Sequence, residues 1–218
     1  NFSGINQCQV REKIGLTFTA ILRSMLRQAP NVILVGEIRD MEVADVAIQA
    51  ALTGHLVFST LHTNDAPSAL TRLIDMGVKP FLVASSIQAV MAQRLVRRIC
   101  PECRVPDPDP DPHVLRMLGF TPDQIANMTF YKGAGCKRCN GSGYHGRQGI
   151  FEMMEMTSTL RQMAFNREPL SKIRHAAIAS GMKTLLDDGK IKIRNGITTA
   201  DELVRITQVA EYGTSGEE

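Results

Sequence analysis

The sequence predicts an α/β fold built on a parallel sheet, and three observations carry that expectation. Two short apolar runs, Val32–Val35 and Leu56–Ser59, read as strands, and the first, unbroken and rich in β-branched residues, is of the type buried on both faces of a parallel sheet. Segments with apolar residues at helical spacing precede, separate and follow them. Each run ends in a turn bearing polar or charged groups, Gly36-Glu37 after the first and Thr60 to His62 after the second. Ligands of open α/β sheets bind beyond the carboxyl ends of the strands, so these two turns are where chemistry is expected.

Taken in order, Phe18, Ile21, Leu22, Met25 and Leu26 trace an amphipathic helix that Pro30 stops. The VILV strand follows directly. Asp40 is the N-cap of a second helix, with Glu42 in its first turn and Gly54 as its stop. After the LVFS strand, Asp65 and Pro67 open a helix through Leu70, Leu73 and Ile74 that Gly77 ends, and a longer helix is expected over 81–98. The run PDPDPDP at 106–112 reads as a stiff, solvated loop. A strand is expected near 150–154, and Thr199-Ala200-Asp201-Glu202 is a capping-box signature for a last helix. Residues 213–218 are expected to fray.

With 218 residues and 44% apolar side chains the chain suffices for a sizeable core, and a net charge of +3 is a mild excess that argues for neither a nucleic-acid-coating nor a polyacid-binding surface. No run approaches a membrane span and no leader pattern opens the chain, so neither insertion nor export is expected. The start at Asn1, without Met, predicts a piece of a longer polypeptide.

Four of the five cysteines fall in the pattern C-x₂-C-x₃₂-C-x₂-C, namely Cys100, Cys103, Cys136 and Cys139. Two such knuckles close a tetrahedral Zn²⁺ site, and four sulfur ligands leave no open position, so the metal is expected to be structural. Cys8 stands apart as a plain thiol. The string GSGYHG at 141–146 matches the dinucleotide fingerprint G-x-G-x-x-G, but it follows a zinc knuckle and not a strand, so its glycines are assigned to the turns of the knuckle.

In VILVGEIRD an apolar strand ends in a carboxylate, the layout by which nucleoside triphosphatases hold Mg²⁺ or a water near the phosphates, and Glu37 is that acid. A merely solvated strand-end glutamate is the plain alternative. The second strand delivers Ser59, Thr60 and His62 to the same edge, donors suited to a γ-phosphate, against the alternative of a surface histidine. No G-x-x-x-x-G-K-[ST] occurs in the sequence, so the usual phosphate cradle is missing and the chain alone is expected to hydrolyse ATP poorly.

Over 36–77, GEIRDMEVADVAIQAALTGHLVFSTLHTNDAPSALTRLIDMG resembles the Walker B and His-box region of the type II secretion and type IV pilus assembly ATPases. The likeness continues through MAQRLVRRICPEC, the second cysteine pair and DDGKIKIRNGITTADELVRIT, covering nearly the whole chain. It implies a RecA-like parallel sheet with flanking helices over 1–99, a small tetracysteine zinc subdomain over 100–147 and a C-terminal strand and helical subdomain over 148–212. It implies that Gly36 and Glu37 end Walker B, Glu37 positioning Mg²⁺ or its water, and that His62 nears the γ-phosphate with Thr60 and His55 in the same box. Arg39 then touches a phosphate or a neighbouring element, or makes a structural salt bridge. The phosphate loop and an acidic box bearing the general base are expected upstream.

The same resemblance implies a homohexameric motor that uses ATP with Mg²⁺, sits in the cytoplasm against the bacterial inner membrane and drives a platform protein there. No nucleic acid is expected as a partner, and the tetracysteine insert points to secretion or pilus extension and not retraction. The competing expectation is a zinc-ribbon binding module that uses Arg97, Arg98, Arg104, Lys137 and Arg138 and performs no catalysis. A DNA-translocating relative is a third.

Overall fold

The computed structural model describes residues 3–212, with side chains to Thr207. The tail expected at 213–218 lies outside the described residues. In chain order the elements are α1 (Phe18–Leu26), β1 (Val32–Val35), α2 (Met41–Leu52), β2 (Leu56–Ser59), α3 (Ser68–Asp75), α4 (Pro80–Ser86), β3 (Ala89–Ile99) and β4 (Arg104–Pro106). They continue with α5 (Pro112–Met117), α6 (Pro122–Asn127), β5 (Tyr131–Gly133), β6 (Tyr144–Glu155), α7 (Ser158–Phe165), α8 (Leu170–Ala179), α9 (Leu185–Arg194) and α10 (Ala200–Tyr212). None of these helices is long and apolar enough to cross a membrane.

Two compact units share the chain. The first comprises Asn1–Thr63, Pro67–Val90 and Glu155–Ala177. Thr17 caps α1 through Oγ1, which accepts from the Ala20 N–H at 3.2 Å, and Asp40 caps α2 by accepting from the Val43 N–H at 2.9 Å. β1 and β2 run parallel, Val32 opposite Leu56 and Val35 opposite Ser59. Leu22, Ile33, Val35, Val43 and Val46 pack one face of this pair into the helices. The other face is open: Val32 and Leu34 of β1, which the sequence predicts to be buried, are at least 50% exposed, as are Leu56 and Phe58 of β2. One helical layer covers two strands, so alternate residues point outward.

α3 begins at Ser68, three residues beyond Asp65, and turns out through Gly77 at φ +103°. The expected helix over 81–98 is two elements. α4 ends where Ser85 and Ser86 turn their hydroxyls back on the Phe81 and Leu82 carbonyls, and Ile87 adopts extended backbone. From Ala89 the chain is β3, with Val96 buried and Met91 and Leu95 exposed in strand alternation.

The second unit comprises Asn64–Ala66, Met91–Met154 and Ile178–Glu218. β3 pairs with β6, and β4 pairs antiparallel with β5, Arg104 opposite Gly133. Val96, Leu115, Phe120, Phe130, Ile150 and Leu203 form its core, Phe120 meeting Phe130 edge to face at 5.6 Å. β6 is longer than the strand read at 150–154 and takes in Gly146, which therefore belongs to a strand and not to the knuckle. The proline run is the exposed loop expected over 107–111, held at both ends. Pro106 ends β4, Lys132 pairs with Asp107 at 2.7 Å, and Pro112 opens α5 behind the N-cap Asp111.

Candidate functional site

Parallel pairing puts Val35 and Ser59, and hence the turns after them, at one edge of β1 and β2. Two bonds lace those turns together. The Ile38 N–H donates to the Thr60 carbonyl at 3.0 Å, and Thr60 Oγ1 donates to the Gly36 carbonyl at 2.7 Å. Above them Glu37 stands between two cationic or potentially cationic groups: the Arg39 guanidinium pairs with Oε1, and His62 Nε2 lies 3.2 Å from Oε2. The hydrogen bond from Arg39, with a smaller one from His62, holds the Glu37 carboxyl below the usual carboxylate range against the opposing effect of burial. Glu37 is therefore ionised at neutral pH, and because an ionised carboxylate only accepts, the His62 contact requires the proton on Nε2.

The side chains of Arg39 and His62 are 73% and 87% exposed, and that of Glu37 is 29% exposed. The acid sits at the base of the cluster with two nitrogen donors projecting to solvent, an arrangement able to meet a phosphate and the cation that accompanies it. His55 is elsewhere. It precedes β2, at the opposite end of the strand, where its Nδ1 lies 3.0 Å from the Ala50 carbonyl and 3.1 Å from Thr53 Oγ1. Gly36, Glu37, Arg39, Thr60 and His62 thus come together, and His55 stays with the end of α2.

The four cysteines of the second unit also converge, all sulfurs lying within 4.8 Å of one another. Cys100 to Cys136 and Cys136 to Cys139 are 3.7 Å apart, and Cys103 to Cys139 is 3.8 Å. Metal–sulfur bonds of about 2.3 Å in a tetrahedron separate the sulfurs by about 3.8 Å, so the donor set fits a metal of zinc's size. Burial pushes the Cys103 thiol up to about 12. Burial also opposes ionisation of Cys139, but the N–H groups of Cys136 and Gly143 outweigh it and bring that thiol down to about 6. The backbone at this place is tight: a Cβ on Gly133 would stand 2.0 Å from the Gly143 carbonyl oxygen, and Gly143 itself is at φ +75°. Cys8 is exposed and outside the cluster.

Two buried carboxylates escaped the sequence reading. Glu202 does not close a capping box. Its N–H bonds to Thr199 Oγ1 at 3.3 Å, but its carboxylate, fully buried, takes Arg97 at 2.7 Å and Arg205 at 2.7 Å. Burial raises its pKa, yet the hydrogen bonds from Arg205 and Arg97 prevail and hold it at about 2. Glu152, 2% exposed on β6, accepts from the Ala66 N–H at 2.8 Å and the Leu185 N–H at 3.4 Å. Of the basic residues offered for a binding module, Arg97 is spent on Glu202, Arg138 on Glu102 at 2.7 Å, and Arg104 stacks 4.1 Å over the Tyr131 ring.

Parallel strands that end in a carboxylate and an imidazole, in a chain that also brings four sulfurs together, define an α/β protein with a strand-end cluster of charged and polar groups and a four-cysteine group of metal-ligand geometry. The sequence model of the family described as "Type II/IV secretion system protein" matches residues 1–205, and the chain belongs to that family. It is 47% identical over 204 residues to the type IV pilus assembly ATPase PilB of Myxococcus xanthus, covering 94% of this chain and 36% of that protein. To the type II secretion system protein HxcR of Pseudomonas aeruginosa it is 45% identical over 207 residues, covering 95% and 40%. The chain thus spans about two fifths of the length of these relatives. The solved structure of the pilus retraction motor PilT with bound ADP superposes with a TM-score of 0.60 over 87% of this chain and 43% of that one. At 23% identity that likeness concerns the fold alone.

Proposed function

We propose that this chain is the portion of a hexameric motor ATPase that carries the Walker B strand, the His box and a structural zinc, and that the intact protein powers type IV pilus assembly or type II secretion. The observation that carries this reading is the placement of an ionised Glu37 and of His62, 3.2 Å apart, beyond the ends of two parallel strands. Glu37 would hold Mg²⁺ or its water, and His62, Thr60, Arg39 and the Gly36 backbone would face the phosphates. Mg²⁺·ATP supplies the transferable phosphoryl group when bound. The protein's own work is to keep Glu37 charged and to hold an Nε2–H donor beside it. Charge that shifts onto the phosphate oxygens then meets donors already oriented, which favours the transition state over the ground state. His55 shares the motif but serves the end of α2, where its ring takes the Ala50 carbonyl.

The four cysteines would hold one Zn²⁺ that ties the antiparallel pair of β4 and β5 to the start of β6, a structural and not a catalytic role. The division expected from the sequence becomes one of tasks: residues 1–99 for nucleotide, 100–147 for metal and 148–212 for a C-terminal strand and helices. The partners are those that the family resemblance implies: five further copies in a ring, and a platform protein at the inner face of the bacterial inner membrane. No G-x-x-x-x-G-K-[ST] is present in these residues, so turnover is expected of the intact protein and not of this portion. The test is Mg²⁺-dependent ATP hydrolysis by the intact protein, wild type against Glu37→Gln. A zinc module without catalysis would instead hydrolyse nothing in either form.

A further inference from the structure

The residues on both sides of Glu37 are bound to one residue, Thr60. Its Oγ1 donates to the Gly36 carbonyl at 2.7 Å, and its carbonyl accepts the Ile38 N–H at 3.0 Å. The two bonds close a ring whose far side is the main chain of Glu37. Thr60 is exposed, so either bond alone would compete with water; joined in one ring, each fixes the direction of the other. The pairing of β1 with β2 ends at Val35 opposite Ser59, and this ring carries the link between the two strands past that point to the acid.

A threonine hydroxyl has one proton and a carbonyl has none, so the proton in the contact with Gly36 is the one that Thr60 owns. At 2.7 Å the bond has the most common O–H···O length. What the Thr60 oxygen has left are lone pairs, which accept from donors and repel phosphate oxygens. The side chains at this edge with N–H groups to give are Arg39 and His62, 73% and 87% exposed. We infer that Thr60 is a positioning residue that sets the place of the Glu37 carboxylate and gives no hydrogen bond to phosphate; this rests on the reading of Glu37 given above. A β-branched side chain suits that task, because its restricted χ1 holds the hydroxyl in one direction.

The experiment uses the intact protein as wild type, Thr60→Val, Thr60→Ser, Glu37→Gln and the double variant of Thr60→Val with Glu37→Gln, with unfolding midpoint and zinc content as controls. Val keeps the branched shape and removes the proton, whereas Ser keeps the proton and frees χ1. Steady-state kcat of Thr60→Val is expected to fall about tenfold or more and that of Thr60→Ser by less, because a displaced acid costs turnover. The double variant is expected to be no slower than Glu37→Gln alone. Equilibrium binding of ATP and of ADP without Mg²⁺ supplies a readout apart from turnover. Loss of a donor to the γ-phosphate would weaken ATP relative to ADP, whereas loss of the ring leaves the ratio of the two affinities within about twofold of wild type. Wild-type kcat in Thr60→Val beside a disabled Glu37→Gln, losses that multiply in the double variant, or an affinity ratio outside that range overturns the proposal and leaves the reading of Glu37 intact. Undiminished turnover in Glu37→Gln overturns that reading and the proposal with it. Should Thr60→Val not fold, Thr60→Ala, which also lacks the proton, takes its place with the same expectations.

Discussion

At the scale of single residues the site depends on charge placement. Arg39 and His62 both donate to Glu37, and the Glu37 carboxylate, which only accepts, fixes the Nε2–H tautomer of His62. In the intact protein His62→Ala is therefore expected to lower kcat by about 10²-fold or more while nucleotide affinity changes little, as removal of a transition-state donor does; stopped-flow binding beside steady-state rates separates the two. The buried Glu202 allows a prediction with a definite sign. Its pKa is depressed from 4.5 to about 2 by Arg205 and Arg97. The stabilisation is fully present above about pH 5 and is lost as pH falls through the interval down to about 2, amounting to on the order of 3 kcal/mol at most. Denaturant titrations at pH 6 and pH 3 should show that loss in wild type, and Glu202→Gln should be weaker at pH 6 and nearly flat across the interval. Glu37, His62 and the cysteines were legible because spacing and strand ends advertise them. Glu152 and Glu202 were not: one hides in the apolar run of β6, and the other mimics a cap, and only tertiary partners reveal either.

Elements show the same division between what local pattern conveys and what it omits. The helix caps Thr17 and Asp40 and the two parallel strands follow from punctuation and periodicity. The break at Ile87 does not, since no Gly or Pro marks it. Val83, Ile87, Val90 and Met91 keep helical spacing through a boundary that two back-bonded serines and the pairing of β3 with β6 decide. The outer face of β1 is open where its unbroken apolar run predicts burial for a related reason, because an apolar run cannot state what covers it. The knuckle is the element on which substitution is most sharply constrained. Gly133→Ala drives a methyl into the Gly143 backbone and should destabilise the second unit toward the upper end of the about 1–3 kcal/mol typical of overpacking, with loss of bound metal. Elemental analysis of the intact protein should find one zinc per chain, and chelation should lower its unfolding temperature. Cys8→Ser, outside the cluster, should leave both unchanged.

In the whole molecule the strand-end cluster of Glu37 and His62 belongs to the first unit and the four-cysteine cluster to the second. Neither unit alone explains the sequence: a zinc module leaves the paired strand ends idle, and a bare nucleotide edge leaves four converging sulfurs without purpose. The central claim is that the Glu37 carboxylate serves nucleotide turnover, and the most direct measurement is Mg²⁺-dependent ATP hydrolysis by the intact protein, wild type against Glu37→Gln. The substitution keeps the shape of the side chain and removes its charge. Turnover reduced by about 10²-fold or more, with fold and metal content retained, is the result the account predicts. Equal rates in the two proteins, or no hydrolysis even in wild type, would contradict it.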